Sequence, residues 1–209
     1  MYGILPLVAA ALNMPASNIR MIVVEGSSTF GRDAGEDEAP VSAALISQLV
    51  GKPVRVQFMR WDNHGWDNHG PAAVAEIRGG LDANGKIVAY EYTSISGGTP
   101  PTYSTGDQYM PNLGSRRLIS KTPPAYFRTG PLRGPGHIQP GWASEQMMDE
   151  LAYAANMDPL TFRQKHTTDM YWRGVLDTVA KLANWKPKVA ASNLSNERVV
   201  TGRGISLSA

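Results

Sequence analysis

The spacing of apolar residues predicts helices and strands in a mixed order. Leu5, Val8, Ala9 and Leu12 share one helical face, and Asn13 with Pro15 should end that helix. Residues 21–24 are a short apolar run that reads as a buried strand. Pro40 suits a helix start, with Val41, Ala44, Leu45, Leu49 and Val50 as the apolar face and Gly51 as the stop. Val54, Val56 and Phe58 alternate with polar neighbours, the period of a strand. Two further strands, at 73–81 and 87–92, flank Asp82-Ala83-Asn84-Gly85, where Asn-Gly accepts the positive φ angles of a tight hairpin turn.

Residues 93–125 are rich in Gly, Pro, Ser and Thr without clear periodicity and read as a long loop. Trp142, Met147, Met148, Leu151 and Ala155 make an apolar stripe for a helix over about 140–156. Asp158-Pro159 supplies a cap and first turn for a short helix carrying Leu160, Phe162 and Arg163. Val175, Leu176, Val179 and Leu182 predict another helix near 171–184, with Trp185 closing the layer. The fold class that follows is α/β, in the mixed α+β sense. Met1 opens inside the first helical pattern without a cap, and 198–209 reads as a strand barely begun. An internal piece of a longer chain is therefore expected.

Composition narrows the function classes. Apolar residues at 42% and charged residues at 18% describe a globular chain rather than a disordered one. A formal charge of +2 gives no electrostatic case for nucleic-acid binding. Without cysteine the chain holds no disulfide, no cysteine-ligated zinc and no iron–sulfur cluster of its own. No apolar run approaches the ~20 residues that a membrane-spanning helix needs.

Candidate chemistry lies in two loops. In Glu25-Gly26-Ser27-Ser28-Thr29-Phe30-Gly31-Arg32, glycine and small hydroxyl residues let backbone N–H groups approach an oxygen-rich ligand, and Phe30 could cover a π face. An ordinary turn fits the same residues, since the P-loop lysine and the dinucleotide glycine spacing are both missing. In the second loop, Gly134 and Gly136 with Pro131, Pro135 and Pro140 hold Arg133 on a tightly turned backbone before a helix. Arginine offers a fixed charge and a fork of donors that orients an anionic or carbonyl-bearing substrate. Gln139 adds a donor and an acceptor suited to a pterin edge or a metal oxo group. A structural arginine tying the loop to helix carbonyls remains the alternative. The tandem repeat Trp61-Asp62-Asn63-His64-Gly65 and Trp66-Asp67-Asn68-His69-Gly70 has no metal-site spacing and reads as a local duplication in an exposed loop.

Taken together, these segments resemble a known family. Leu132 to Gln139, then Glu145-Gln146-Met147-Met148-Asp149-Glu150-Leu151-Ala152 and Asp158-Pro159-Leu160-Thr161-Phe162-Arg163, are similar to the large subunit of xanthine dehydrogenases and aldehyde oxidases. The stretch 23–31 resembles that family's Phe-Gly loop, and 54–62 with the following His-Gly-Trp resembles its isoquinoline oxidoreductase and aldehyde dehydrogenase branch. The resemblance implies a partial molybdopterin-binding domain over 1–168 and the start of a second over 169–209. It implies molybdopterin with molybdenum, as a cytosine dinucleotide, iron–sulfur clusters on a separate electron-transfer subunit or domain, and a small aldehyde or N-heterocycle as substrate. By the same resemblance Arg133 is catalytic, orienting substrate and stabilising the transition state. Gly26, Phe30, Gly31 and Gln139 bind the cofactor. The family's base glutamate, in a Gly-x-Gly-Glu segment, has no counterpart here, because the similar Ala34-Gly35-Glu36 follows Asp33 in the wrong context. A non-catalytic module that docks on partner subunits through the helices at 140–184 is the competing expectation.

Overall fold

The structure is a computed structural model that describes residues 3–22, 24, 38–97, 109–130, 137–188, 199 and 202–207. The chain divides into two compact units, Met1–Pro71 with Ala125–Pro135 and Ala72–Pro124 with Gly136–Ala209.

The first unit is helical. Helix α1, Leu5–Leu12, has Pro6 in its first turn and ends where Asn13 turns left-handed at φ 51°. It starts at Leu5 after the Ile4 cap, so the helical pattern does not run back to Met1. Helix α2, Glu38–Val50, begins two residues before Pro40 and stops at Gly51, whose φ of +65° requires glycine's freedom. Gln48 Nε2 donates to the Leu12 carbonyl at 3.3 Å and ties the two helices together. The seven-residue helix α3, Arg60–Trp66, contains the first pentapeptide of the repeat. The strands expected at 21–24 and 54–58 do not form among the described residues, and Ile22 and Val24 are 68% and 82% exposed. An apolar or alternating run becomes a strand only where another strand completes its hydrogen bonds, and these runs have no ladder partner among the described residues.

The second unit is a three-stranded sheet with helices on one face. Strands β1, Ala73–Leu81, and β2, Ile87–Ser96, form the expected antiparallel hairpin. Asp82 shapes its turn: the carboxylate accepts the Asn84 and Lys86 N–H groups at 2.9 and 2.8 Å, and Gly85 alone takes a positive φ. Strand β3, Ser115–Lys121, then pairs parallel to β2, where a loop was expected. Its Ser-Arg-Arg start sits on a sheet edge, where polar side chains reach water and hide the apolar period. Across that pair Arg117 meets Glu91 at 3.2 Å.

Alternation along the hairpin directs Ala75, Ile77, Tyr90 and Tyr92 to the helical face. Helix α4, Ile138–Ala154, lies there, so close that a Cβ on Gly79 would stand 2.8 Å from Met147 Cε and 2.9 Å from Leu151 Cδ2. Helix α5, Pro159–His166, is capped by Asp158, which accepts the Leu160 and Thr161 N–H groups at 3.1 Å. The other oxygen of Asp158 accepts from Trp185 Nε1 at 3.1 Å, so Trp185 does close this layer. Helix α6, Met170–Leu182, buries Leu176 but leaves Val175, Val179 and Leu182 largely exposed, against expectation. Trp142 is likewise exposed rather than part of the α4 stripe, because the apolar face turns through Ala143, Met148, Leu151 and Ala152. Residues 202–207 form no strand, although Leu207 is buried in the core. No helix of the described residues is long and apolar enough to cross a membrane.

Candidate functional site

Of the five candidate site residues, Gly26, Phe30, Gly31 and Arg133 lie outside the described residues. Gln139 is described, partly buried in the first turn of α4. Pro140 follows it in that turn, where a missing N–H costs no helical hydrogen bond. The helix has no side-chain cap at His137. At the far end Asn156, left-handed at φ 53°, terminates it.

What fixes this helix in place is a buried ionic cluster. Arg163 of α5 is fully buried, and its Nε donates to Glu145 Oε2 at 2.8 Å while Nη2 donates to the Glu145 carbonyl at 3.1 Å. Its Nη1 reaches Asp149 Oδ1 at 2.6 Å and the Pro159 carbonyl at 3.3 Å. Glu145 and Asp149, four residues apart, stand on one face of α4 and present two carboxylates to one guanidinium fork. Glu145 Oε2 also accepts the Leu207 N–H at 3.0 Å, which ties the segment 202–207 to the same helix. Burial alone would lower the pKa of Arg163, but the carboxylates of Glu145 and Asp149 reverse this and hold it above its ordinary value. Tyr109, buried beside the cluster, has its hydroxyl pKa raised by burial first and by the charge of Glu145 second. Arg163, Glu145 and Tyr109 are buried while Asp149 reaches the surface, and together these groups hold α4 against α5.

A second buried group is held just as tightly. His166 Nε2 accepts the Ile87 N–H at 3.1 Å, which leaves the proton on Nδ1 to donate to the Phe162 carbonyl at 2.8 Å. Burial lowers its pKa, opposed by the Phe162 carbonyl. In the sequence, Glu145, Asp149 and Arg163 stand within the family motifs with no role of their own. Their signal is two carboxylates at helical spacing ahead of an arginine in an Asp-Pro-capped helix.

The described part of the site therefore contains one amide side chain, Gln139, on a helix held by this cluster. An amide presents a donor and an acceptor on one plane, matching the edge of a pterin ring, so Gln139 fits such a group chemically. Among the described residues it is the one candidate that permits this test.

The chain matches the molybdopterin cofactor-binding domain family over residues 2–167. It is 31% identical over 208 residues to a nicotinate dehydrogenase subunit of Pseudomonas putida, an alignment covering 90% of this chain and 17% of that protein. It is 30% identical over 167 residues to the aldehyde oxidoreductase molybdenum-binding subunit PaoC of Escherichia coli K12, covering 78% of this chain and 23% of that one. Among solved structures, aldehyde oxidoreductase from Desulfovibrio gigas superposes with a TM-score of 0.70 at 19% identity, over 86% of this chain and 22% of that one. Quinoline 2-oxidoreductase from Pseudomonas putida 86 gives 0.67 at 18% identity, over 87% and 27%. The chain thus spans about a fifth of the curated relatives it matches.

Proposed function

Because the chain belongs to the molybdopterin-binding subunits of the xanthine dehydrogenase and aldehyde oxidase family, we propose that it supplies part of the active site of a molybdenum hydroxylase acting on aldehydes or N-heterocyclic aromatics. The observation that carries this reading is the similarity over 90% of the chain to the nicotinate dehydrogenase subunit, with the Phe-Gly loop, the Arg133 loop and the 158–163 motif in the family's order. When bound, the cofactor supplies a molybdenum centre that takes up two electrons and uses oxygen from water.

The chain's own residues bind and orient. Gly26, Phe30 and Gly31 hold the cofactor, since backbone N–H groups free of side-chain bulk suit its oxygen atoms and Phe30 suits its flat face. Gln139 meets the pterin edge from the first turn of α4. Arg133 orients the substrate and stabilises negative charge as it develops, a task for a cation that stays protonated. The cofactor is a cytosine dinucleotide form, and electrons leave to iron–sulfur clusters on a separate subunit or domain. The domain division belongs to the same proposal, a first molybdopterin-binding domain over 1–168 and the start of a second over 169–209. It draws support from the family match, which ends at residue 167. Alone, the chain is inactive, since it has no base glutamate in a Gly-x-Gly-Glu segment.

The test is Arg133→Ala in the full-length enzyme. Turnover of aldehydes or N-heterocycles should fall by about a hundred- to a thousandfold, with molybdenum content unchanged. Unchanged turnover returns Arg133 to a loop-tying role, and an active enzyme without molybdenum overturns the whole assignment. One observation favours the second reading, a module that docks on partner subunits: α6 leaves Tyr171, Val175, Val179 and Leu182 exposed along one side. That reading predicts loss of assembly, not of turnover per molybdenum, when these residues are made polar.

A further inference from the structure

The tandem pentapeptide is a motif that the proposed function does not absorb. Its two copies are identical in sequence and differ in structure. The first, residues 61–65, lies within α3, where Asp62 Oδ2 accepts the Met59 N–H at 2.8 Å. The second, 66–70, leaves the helix at Asp67 and pairs with the segment 128–130. There the His69 N–H donates to the Arg128 carbonyl at 3.0 Å, and the Gly130 N–H donates to the His69 carbonyl at 3.0 Å. The His69 ring meets Phe127 edge-on at 5.4 Å, and Asn68 lies so near Gly130 that a Cβ there would be 2.9 Å from its own.

Each of these contacts is made by a residue with an identical counterpart five places earlier, His64 for His69 and Asn63 for Asn68. We propose that the two copies compete for this one pairing position, so that the chain has two registers. In the second register His64 takes the bridge to Thr129, Asn63 lies against Gly130, and α3 dissolves. Residues 66–70 then join the connection that enters β1. Five residues of slack pass from one side of the bridge to the other while the bridge keeps its chemistry.

The energetic difference between the registers is small because the helix that the first one adds is weakly held. Helix α3 has seven residues and no buried side chain, and Trp61 and Trp66 are 81% and 86% exposed. A helix this short has almost no stability of its own. Lengthening the connection to β1 costs only the slowly growing entropy of a longer loop. A gap of a few kcal/mol places the minor register at roughly 0.1 to 10% of molecules.

Two measurements on the full chain test the slip. In wild-type protein labelled at histidine nitrogen, the His64 and His69 amides should show relaxation dispersion with one shared rate and population, and the His166 amide should show none. Independent rates at the two amides overturn the proposal. The second measurement uses the absence of cysteine, which makes an introduced pair the sole source of a disulfide. Under slow oxidation His69→Cys with Thr129→Cys should cross-link quickly. His64→Cys with Thr129→Cys should cross-link to completion about ten- to a thousandfold more slowly, and this variant keeps His69 and the backbone hydrogen bonds of its bridge. Failure of the 64–129 pair while the 69–129 pair forms sinks the slip. So does equal trapping of Arg60→Cys with Thr129→Cys, which would report general looseness.

Discussion

The two units are built from similar helices and make very different use of them. In the first, among the described residues, Val8 is the one buried apolar side chain, and Leu7, Ile46, Leu49 and Val50 on α1 and α2 remain largely exposed. In the second, Ile87, Tyr90, Tyr92, Met148, Leu151, Phe162 and Leu176 join in one core. Helical pattern alone does not explain the difference. The second unit has a sheet for its helices to cover, and two layers enclose a core that a pair of short helices does not. Mutational and pH sensitivity should therefore concentrate there.

The largest effect should come from Arg163→Ala. It leaves the Glu145 carboxylate buried beside Tyr109 without its fork, and breaking such a pair typically costs about 3–5 kcal/mol. Denaturant unfolding read through the second unit measures it. A loss below about 1 kcal/mol would mean that water reaches the cluster and that this core is no better sealed than the first unit. Next comes Gly79→Val. Its new side chain would press on Met147 and Leu151, both within 2.9 Å of the added Cβ, and overpacking of this kind costs about 1–3 kcal/mol. Gly65→Ala, with nothing within 4 Å of the added Cβ, is the matched control in the first unit.

A smaller effect follows from His166. Its pKa in the folded chain lies below the ordinary 6.5, through burial and then the nearby Lys165 and Lys86, with Asp82 and the Phe162 carbonyl opposing. The unfolded chain therefore takes up the proton first. The contribution to stability is present above pH 6.5 and is lost as the pH falls through the folded value. The slope is bounded at about 1.4 kcal/mol per pH unit for one proton. Protonation would also deprive the Ile87 N–H of its acceptor and loosen the start of β2 from α5. His166→Gln should abolish this slope whatever it does at pH 8, and a slope that survives assigns the titration elsewhere.

The same contrast explains what the sequence made legible. The hairpin at Asn84-Gly85, the Asp158-Pro159 cap and helices α4 to α6 are written in local chemistry, where the deciding residues lie within four or five positions. Strand β3 was hidden because its pairing with β2 comes from a segment about twenty-five residues away, and its edge position tolerates Arg116 and Arg117. Residues 21–24 and 54–58 show the converse, a strand-like pattern without a pairing partner among the described residues. The candidate site was legible as an order of motifs, Phe30-Gly31 before Arg133 before Gln139. Its support was not, since Arg163 meets Glu145 across eighteen residues and a helix break.

The smallest effect should be Trp61→Ala, and it bears most directly on the difference between the units. Removing an indole from a core would cost about 3–5 kcal/mol. Trp61 is 81% exposed, and among the described residues its ring meets His64 edge-on at 6.3 Å. The loss should stay within about 0.5 kcal/mol, the range of surface substitutions away from special features. Trp61 also belongs to the helical copy of the repeat, so the substitution alters α3 without touching the bridge at His69. Thermal melts of the variant and the parent, followed by tryptophan fluorescence and by circular dichroism, would measure it. A loss above about 1 kcal/mol would show that the first unit encloses Trp61 in solution, and the contrast with the second unit would then fail at an exposed tryptophan.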